Sequence, residues 1–194
     1  MKNLLSILIL ISFSSQAQKM KIIQGSLEGL KGQTSYDIKF SYDSMLVGRG
    51  IPENEYLDAV SARWESKEPG KGPAFVKMWF DDRQRLYEPE FVKNFENHTK
   101  IKLNDKNATY TLLLKTTSTE GGWDLWMEGS AAIIAGELWI VESADHSKVK
   151  ARIRLRDSQG KDSNGGDFEM TTRIKSAYAS AGKWLGIFIV KHSE

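Results

Sequence analysis

From Ile133 to Arg156 the sequence spells out a β-hairpin whose two halves make different demands on the fold. The second half, Lys148 to Arg156, alternates without a break: Val149, Ala151, Ile153 and Leu155 are apolar, while Lys150, Arg152, Arg154 and Arg156 are basic. Successive side chains of a strand point to opposite faces, so this segment has one face for a core and one basic face. The first half lies within Ala131 to Glu142 and reads Ile133, Ile134, Ala135, Gly136, Glu137, Leu138, Trp139, Ile140, Val141. It is nearly apolar on both faces, the pattern of a central strand covered on both sides or partly so. Ser143, Ala144, Asp145 and His146 give the short turn between the halves. A chain with this hairpin must supply a second layer to bury the apolar side of a sheet.

Other segments supply it. Tyr36, Ile38, Phe40 and Tyr42 alternate with Asp37, Lys39 and Ser41 as a half-buried strand, Thr109 to Thr117 reads as the strand before the hairpin, and Met20 to Gln24 as a short further one. Pro52 lacks an amide that the first helical position would leave unpaired, and Glu53 and Glu55 favour the positive dipole end, so a helix is expected from there to about Lys67. Pro69-Gly70-Lys71-Gly72-Pro73 ends it. A second helix begins near Pro73, carries Phe75, Met78, Trp79 and Leu86 on one side, is interrupted at Pro89 with Glu88 outside the helix, and resumes through Phe91, Val92 and Phe95. Asp167 caps a final helix striped with Ile174, Tyr178, Ala181, Leu185 and Phe188. The expected class is α+β: a mixed, largely antiparallel sheet of four to five strands with helices packed on it.

The start of the chain points to export. Lys2, an apolar core from Leu4 to Phe13 and the small and polar Ser15-Gln16-Ala17 read as a secretory signal peptide over residues 1–17, leaving one domain over 18–194. That core is about ten residues, half of the roughly 20 that a spanning helix needs. The run Ala131 to Val141 is also too short and contains Glu137. No transmembrane span is expected. The absence of cysteine excludes disulfides, thiol-ligated metals and a lipid-modified amino terminus, so the expectation is a periplasmic or secreted protein that is not a lipoprotein. Without Lys2 the formal charge falls from +2, leaving 26 basic against 25 acidic side chains, a balance with no general pull on nucleic acid.

Motifs for chemistry are few. His98, His146 and His192 have no metal-type spacing, so no metal site is expected. Glu128-Gly129-Ser130-Ala131-Ala132 does not match the Gly-x-Ser-x-Gly of a nucleophile elbow, and Gly48-Arg49-Gly50 and Gly70-Lys71-Gly72 lack the spacings that wrap amides around phosphate; no cofactor is expected. Asp81, Asp82, Arg83, Arg85, Glu88 and Glu90 surround Pro89; Asp82 and Glu88 are the candidate acid/base pair, against a reading as the charged outer side of a helix with an Asp81–Arg85 ion pair. Asp157 to Asp167 offers oxygen ligands without the order of a calcium loop and reads as a solvated turn. The basic row through Arg152 and Arg154 reads either as an anion-binding surface or as the guard of an edge strand against aggregation. Of the 6 tryptophans, Trp64, Trp79, Trp139 and Trp184 lie on apolar patterns and are expected in the core, whereas Trp123 and Trp126, flanking Asp124 in a glycine-rich connection, are candidates for an exposed aromatic platform.

Glu68-Pro-Gly-Lys-Gly-Pro73, Trp79 with Asp82-Arg83, Tyr87-Glu88-Pro89-Glu90-Phe91, and the ending Arg173-Ile174, Ala177-Tyr178, Ala181-Gly182-Lys183 together resemble an uncharacterised family of bacterial exported proteins, a domain of unknown function. Tyr110-Thr-Leu-Leu-Leu-Lys-Thr-Thr117 and Thr119-Glu120-Gly121-Gly122-Trp123 fit the same resemblance, which spans most of the chain. It implies an envelope location and a mixed α/β fold and carries no catalytic residue with it. The expectation is a non-catalytic binding or envelope-accessory domain whose partner is an envelope protein or a glycan; the alternative is a secreted or periplasmic hydrolase using Asp82 and Glu88.

Overall fold

The computed structural model describes residues 20–125, 128–160 and 170–193. In chain order these form β1 (Met20–Gly25), β2 (Asp37–Ser41), β3 (Leu46–Val47), β4 (Ile51–Pro52), α1 (Glu53–Glu65), α2 (Lys71–Asp82), a π-helical turn (Arg83–Tyr87), α3 (Glu88–Thr99), β5 (Tyr110–Glu120), β6 (Trp123–Leu125), β7 (Glu128–Ser130), β8 (Ile133–Glu142), β9 (Asp145–Gln159) and α4 (Met170–His192). The α+β class stands, with a larger sheet than expected. It has 7 strands in the order β1-β9-β8-β5-β3-β4, and β2 pairs with β5 beside β3. A separate hairpin, β6-β7, fills the glycine-containing connection. The extra strands β3 and β4 are two residues each, too short for any period to show.

β5, β8 and β9 form the antiparallel meander that the sequence predicts, while β2 and β3 both run parallel to β5, reached by the long crossover through the helices. The hairpin turn is Ser143-Ala144, between Glu142 and Asp145. β9 is not an edge strand. β1 pairs along it antiparallel, Lys21 opposite Arg154 and Gln24 opposite Arg152, so its basic face belongs to the interior of the sheet. The guard reading fails on that pairing.

The helices cover one face. Ile134, Leu138, Ile140, Ala151, Ile153, Leu112 and Leu114 meet Ile174, Ala177, Tyr178, Ala181, Leu185 and Ile189 of α4, and Phe91 and Phe95 of α3, in one core. α3 and α4 approach so closely that a Cβ on Gly182 would collide with the Phe91 carbonyl, which is why a glycine stands there. Apolar burial at roughly 25 cal/mol per Å2 drives this layer. The opposite face keeps its strands half-exposed, so β8 is covered on one side only. Trp139 is accordingly not a core residue but stands on the open face; Trp64 and Trp184 are also only partly buried, and Trp79 alone of those four is buried.

Pro89 does not interrupt the second helix. α2, the π turn and α3 run continuously from Lys71 to Thr99, and Glu88 is helical at φ −61°, ψ −46°. A proline ring inside an α-helix clashes with the carbonyl four residues back. Here the helix widens just ahead of Pro89, and the Glu88 N–H donates to the Arg83 carbonyl five residues back. The widening also moves the ion pairs: Asp81 pairs with Lys77, and Arg85 with Asp82 at 2.5 Å. Among the described residues no helix is long and apolar enough to cross a membrane.

Candidate functional site

The open face of the sheet is ordered by register. One row across the strands reads Lys39, Leu113, Trp139, Arg152, Gln24; the next reads Ser41, Lys115, Glu137, Arg154, Lys21. Neighbouring strands lie about 4.8 Å apart, so each row spans roughly 19 Å. Trp139 is the centre of the first row. The Lys115 ammonium stands 3.6 Å from its ring centroid and the Arg152 guanidinium 4.4 Å, reaching it from β5 and β9 on either side of β8. The indole N–H donates to Glu137 Oε2 at 3.0 Å, and Arg152 donates to the same oxygen from Nη2 at 2.5 Å and from Nε at 3.2 Å. Arg154 stands 3.7 Å from the other carboxylate oxygen, and Arg152 also donates to the Gln24 amide oxygen at 3.2 Å.

This arrangement is an electrostatic device with an excess of positive charge. Burial pulls the Glu137 carboxyl upward, but the hydrogen bonds from Arg152 and Trp139 and the charges of Arg152 and Arg154 outweigh it and hold the group below its usual range. Four cations, Lys21, Lys115, Arg152 and Arg154, thus stand in these two rows with one carboxylate, which Arg152 and Arg154 contact directly. The tryptophan ring fixes two of them, each cation–π contact contributing on the order of 0.5–1 kcal/mol at a partly exposed site. Cations held in place lose less freedom when an anion docks.

The second cluster lies against the π turn. Asp82 is 1% exposed and accepts from Thr171 Oγ1 at 2.9 Å on one oxygen and from Arg85 on the other. Glu53 accepts from the Trp79 indole at 2.6 Å and pairs with Arg83, whose guanidinium lies 4.1 Å from the Tyr42 ring centroid. Tyr42 donates to Glu88 Oε1 at 3.2 Å. Burial raises the Glu88 carboxyl above the ordinary range, against the opposing effects of Tyr42 and Arg83. Behind them the buried Tyr178 hydroxyl shares a 2.8 Å hydrogen bond with Thr116, and burial pushes it up to about 12. Glu88 lines an open cleft of about 730 Å3 between β2 and α3, whereas Asp82 lines neither this cleft nor the small cavity bounded by Tyr42, Arg83, Tyr87 and Tyr178.

The other sequence candidates separate. Trp126 lies outside the described residues, as do residues 161–169 of the oxygen-rich loop and residues 1–19; Trp123 and Asp124 stand in β6, their side chains outside the described ones. Arg152 and Arg154 are brought together on Glu137, while Asp82 and Glu88 turn to different partners. In the Gly70-Lys71-Gly72 turn the Gly70 and Gly72 amides donate to the Glu65 carboxylate at 2.9 and 3.0 Å, so a side chain of the chain itself occupies them. His98 and His192 each bond a carbonyl of their own helix at 2.8 Å, and among the described residues no three of His, Asp and Glu gather as a metal site. Sequence reading missed the role of Trp139, Lys115 and Glu137; the signal that could have found them is the single acid inside an apolar run facing a basic strand.

No family model and no curated protein matches the chain. Among solved structures it is similar to the PelC dodecamer from Paraburkholderia phytofirmans, at 9% identity and a TM-score of 0.36, with 90% of this chain and 97% of that one covered. A point variant of that dodecamer from the same organism gives 10% identity and a TM-score of 0.35 over 84% of this chain and 97% of that one.

Proposed function

We propose that the chain is an exported, non-catalytic binding domain and that the open face of its sheet holds an anionic glycan. The observation that carries this reading is the pair of cations fixed on Trp139, with Arg154 and Lys21 in the next row and Glu137 the one carboxylate of the two rows described. Such a lattice has no part in the core, and as β9 is paired on both sides it has no edge to guard. Carboxylates or phosphates repeated along a polysaccharide would meet cations repeated across strands. Export rests on the residue pattern of positions 1–17 and on the family resemblance.

The test is binding of residues 18–194 to polygalacturonate, a carboxylate-bearing polymer, with neutral dextran as control, by titration calorimetry at low and high salt. Expected are binding to the first only, weakening with salt, and loss in a Lys115→Glu/Arg154→Glu variant that keeps its thermal midpoint. Equal affinity of the variant, or equal binding of dextran, overturns the reading. Amino-terminal sequencing of the exported protein, expected to begin at Gln18, tests the leader.

One observation favours the second reading, a carboxylate-dependent hydrolase: Glu88 lines a cleft and has a raised carboxyl. Its companion is placed differently, since Asp82 is buried and committed to Thr171 and Arg85. Turnover of a glycan or peptide substrate abolished by Glu88→Gln would move the assignment to this reading.

A further inference from the structure

The sheet has a second feature at its β2 edge, where the backbone rather than the open face is on offer. Among the described residues β2 is bonded to β5 alone, and its other edge faces the cleft of about 730 Å3. The far wall of that cleft is one stripe of α3, since Glu88, Val92 and Glu96 recur every four residues and stand one above another on a helix. The neighbouring backbone at Tyr36 is already satisfied, donating to the Lys102 carbonyl at 2.9 Å and accepting from Asp105 N–H at 3.2 Å. Other free edges are blunted: β4 is two residues long and ends in Pro52, and β1 carries a bulge between Ile22 and Gln24.

We propose that this groove takes an extended peptide of a partner protein as an added strand beside β2. The dimensions agree. Five residues of β2 extend about 17 Å at 3.4 Å per residue, and the α3 stripe from Glu88 to Asn97 rises about 13.5 Å at 1.5 Å per residue, so four or five residues fit. The strand edge supplies backbone hydrogen bonds, and alternate side chains supply choice. On one side of the peptide lie Ile38, Phe40, Pro89 and Val92, which favour apolar side chains. On the other stands Lys39, exposed, opposite Leu113 on its paired side, and without an ion-pair partner among the described residues. The remaining charges of the groove are committed: Glu88 to Tyr42, Glu96 to the Leu103 amide and Lys102, and Lys93 to Glu90. The peptide is therefore apolar, acidic, apolar at three successive positions, with the acid opposite Lys39. Lys39 is also the end of the first row of the open face, whereas the free strand edge and the apolar wall at Pro89 and Val92 lie away from the cations around Trp139, so peptide binding is read independently of the glycan reading.

The probe is the fluorophore-labelled, end-blocked pentapeptide Thr-Val-Glu-Val-Thr, titrated with residues 18–194 and followed by anisotropy. Strands pair through alternate residues only, so two N-methylated forms discriminate: one methylated at both Val residues, the other at Glu and the last Thr. One form is expected to lose binding roughly tenfold or more while the other keeps it. Lys39→Glu is expected to weaken the parent peptide by a similar factor and to prefer the peptide with Lys in place of Glu. Absence of binding up to about 1 mM peptide, equal loss or equal retention in both methylated forms, or indifference to the charge exchange overturns the proposal.

Discussion

Leu138 and Trp139 are consecutive residues of β8 and stand in different surroundings. Leu138 is fully buried under α4, among Ile134, Ile140 and Ile153, whereas Trp139 is half-exposed, its ring occupied by a lysine and an arginine and its N–H by a carboxylate. The same backbone thus serves two purposes. Its covered side is chosen for volume and dryness, and its open side for the placement of charge. The comparison teaches that aromatic content alone does not mark a core: an indole offers as much surface to a cation as to a leucine, and what lies opposite it in register decides which.

The largest expected effect contrasts the two neighbours directly. Leu138→Ala removes a fully buried side chain and should cost about 3 kcal/mol or more, transfer and cavity terms together. Trp139→Ala should cost about 1 kcal/mol, the order of its cation–π contacts and partial burial, while abolishing polygalacturonate binding. Urea unfolding of both variants measures the difference. Equal losses would mean that the open face is covered in solution and that the two sides of β8 do not differ.

A smaller effect tests the covered side alone. Tyr178→Phe deletes a hydroxyl that shares a 2.8 Å bond with Thr116 where neither residue meets solvent. Leaving the Thr116 hydroxyl without its partner should cost about 1–2 kcal/mol. A Thr116→Val/Tyr178→Phe double variant should recover part of that loss, because both ends of the bond are then apolar. If the double variant is no better than the sum of the single ones, the bond is not what orients Tyr178.

Much of this division was legible in the residues. The alternation of Ala151, Ile153 and Leu155 with Arg152, Arg154 and Arg156 set the faces of β9 correctly, because local geometry alone decides which side a strand residue takes. What the basic side was for depended on β1, more than a hundred residues away, and nothing in either segment announces that pairing. The apolar run of β8 fits a strand covered on both sides or partly so, because its pattern counts Trp139 as apolar, and only the register with Lys115 and Arg152 shows that the second side is the partly covered one. Pro89 misled for a related reason. The rule that proline breaks a helix describes an α-helix, and the π turn from Arg83 to Tyr87 satisfies the ring by widening one turn ahead of it. Asp82 sits in a charged stretch typical of a wet helix side, yet it lies three residues after the buried Trp79 on the inner side of α2 and turns to Thr171. The edge of β2 was invisible, since a free edge is a property of the assembled sheet.

The smallest effects have opposite signs on the two sides. Glu88, against the covered side, has its carboxyl raised in the folded state by burial, with Tyr42 and Arg83 opposing, and Glu137, on the open face, has its carboxyl lowered by Arg152, Trp139 and Arg154 in spite of burial. Stability follows the difference in bound protons between the folded and unfolded chain. A raised group holds its proton longer when folded, so the stability it contributes is present below the unfolded carboxylate range and is lost as pH rises through its folded value. A lowered group contributes stability above the unfolded range and loses it as pH falls through its folded value. Relative to the parent, Glu88→Gln should therefore gain stability as pH rises across the acidic range, and Glu137→Gln should lose it over the same interval. Each shift is expected to be about 1 kcal/mol or less, since both groups retain contact with water. Urea midpoints of the parent and the two variants, taken every half unit across the acidic range, read the two slopes against each other. Slopes of the same sign would show that one of the two carboxylates is not in the surroundings assigned to it, and the sign that fails tells which.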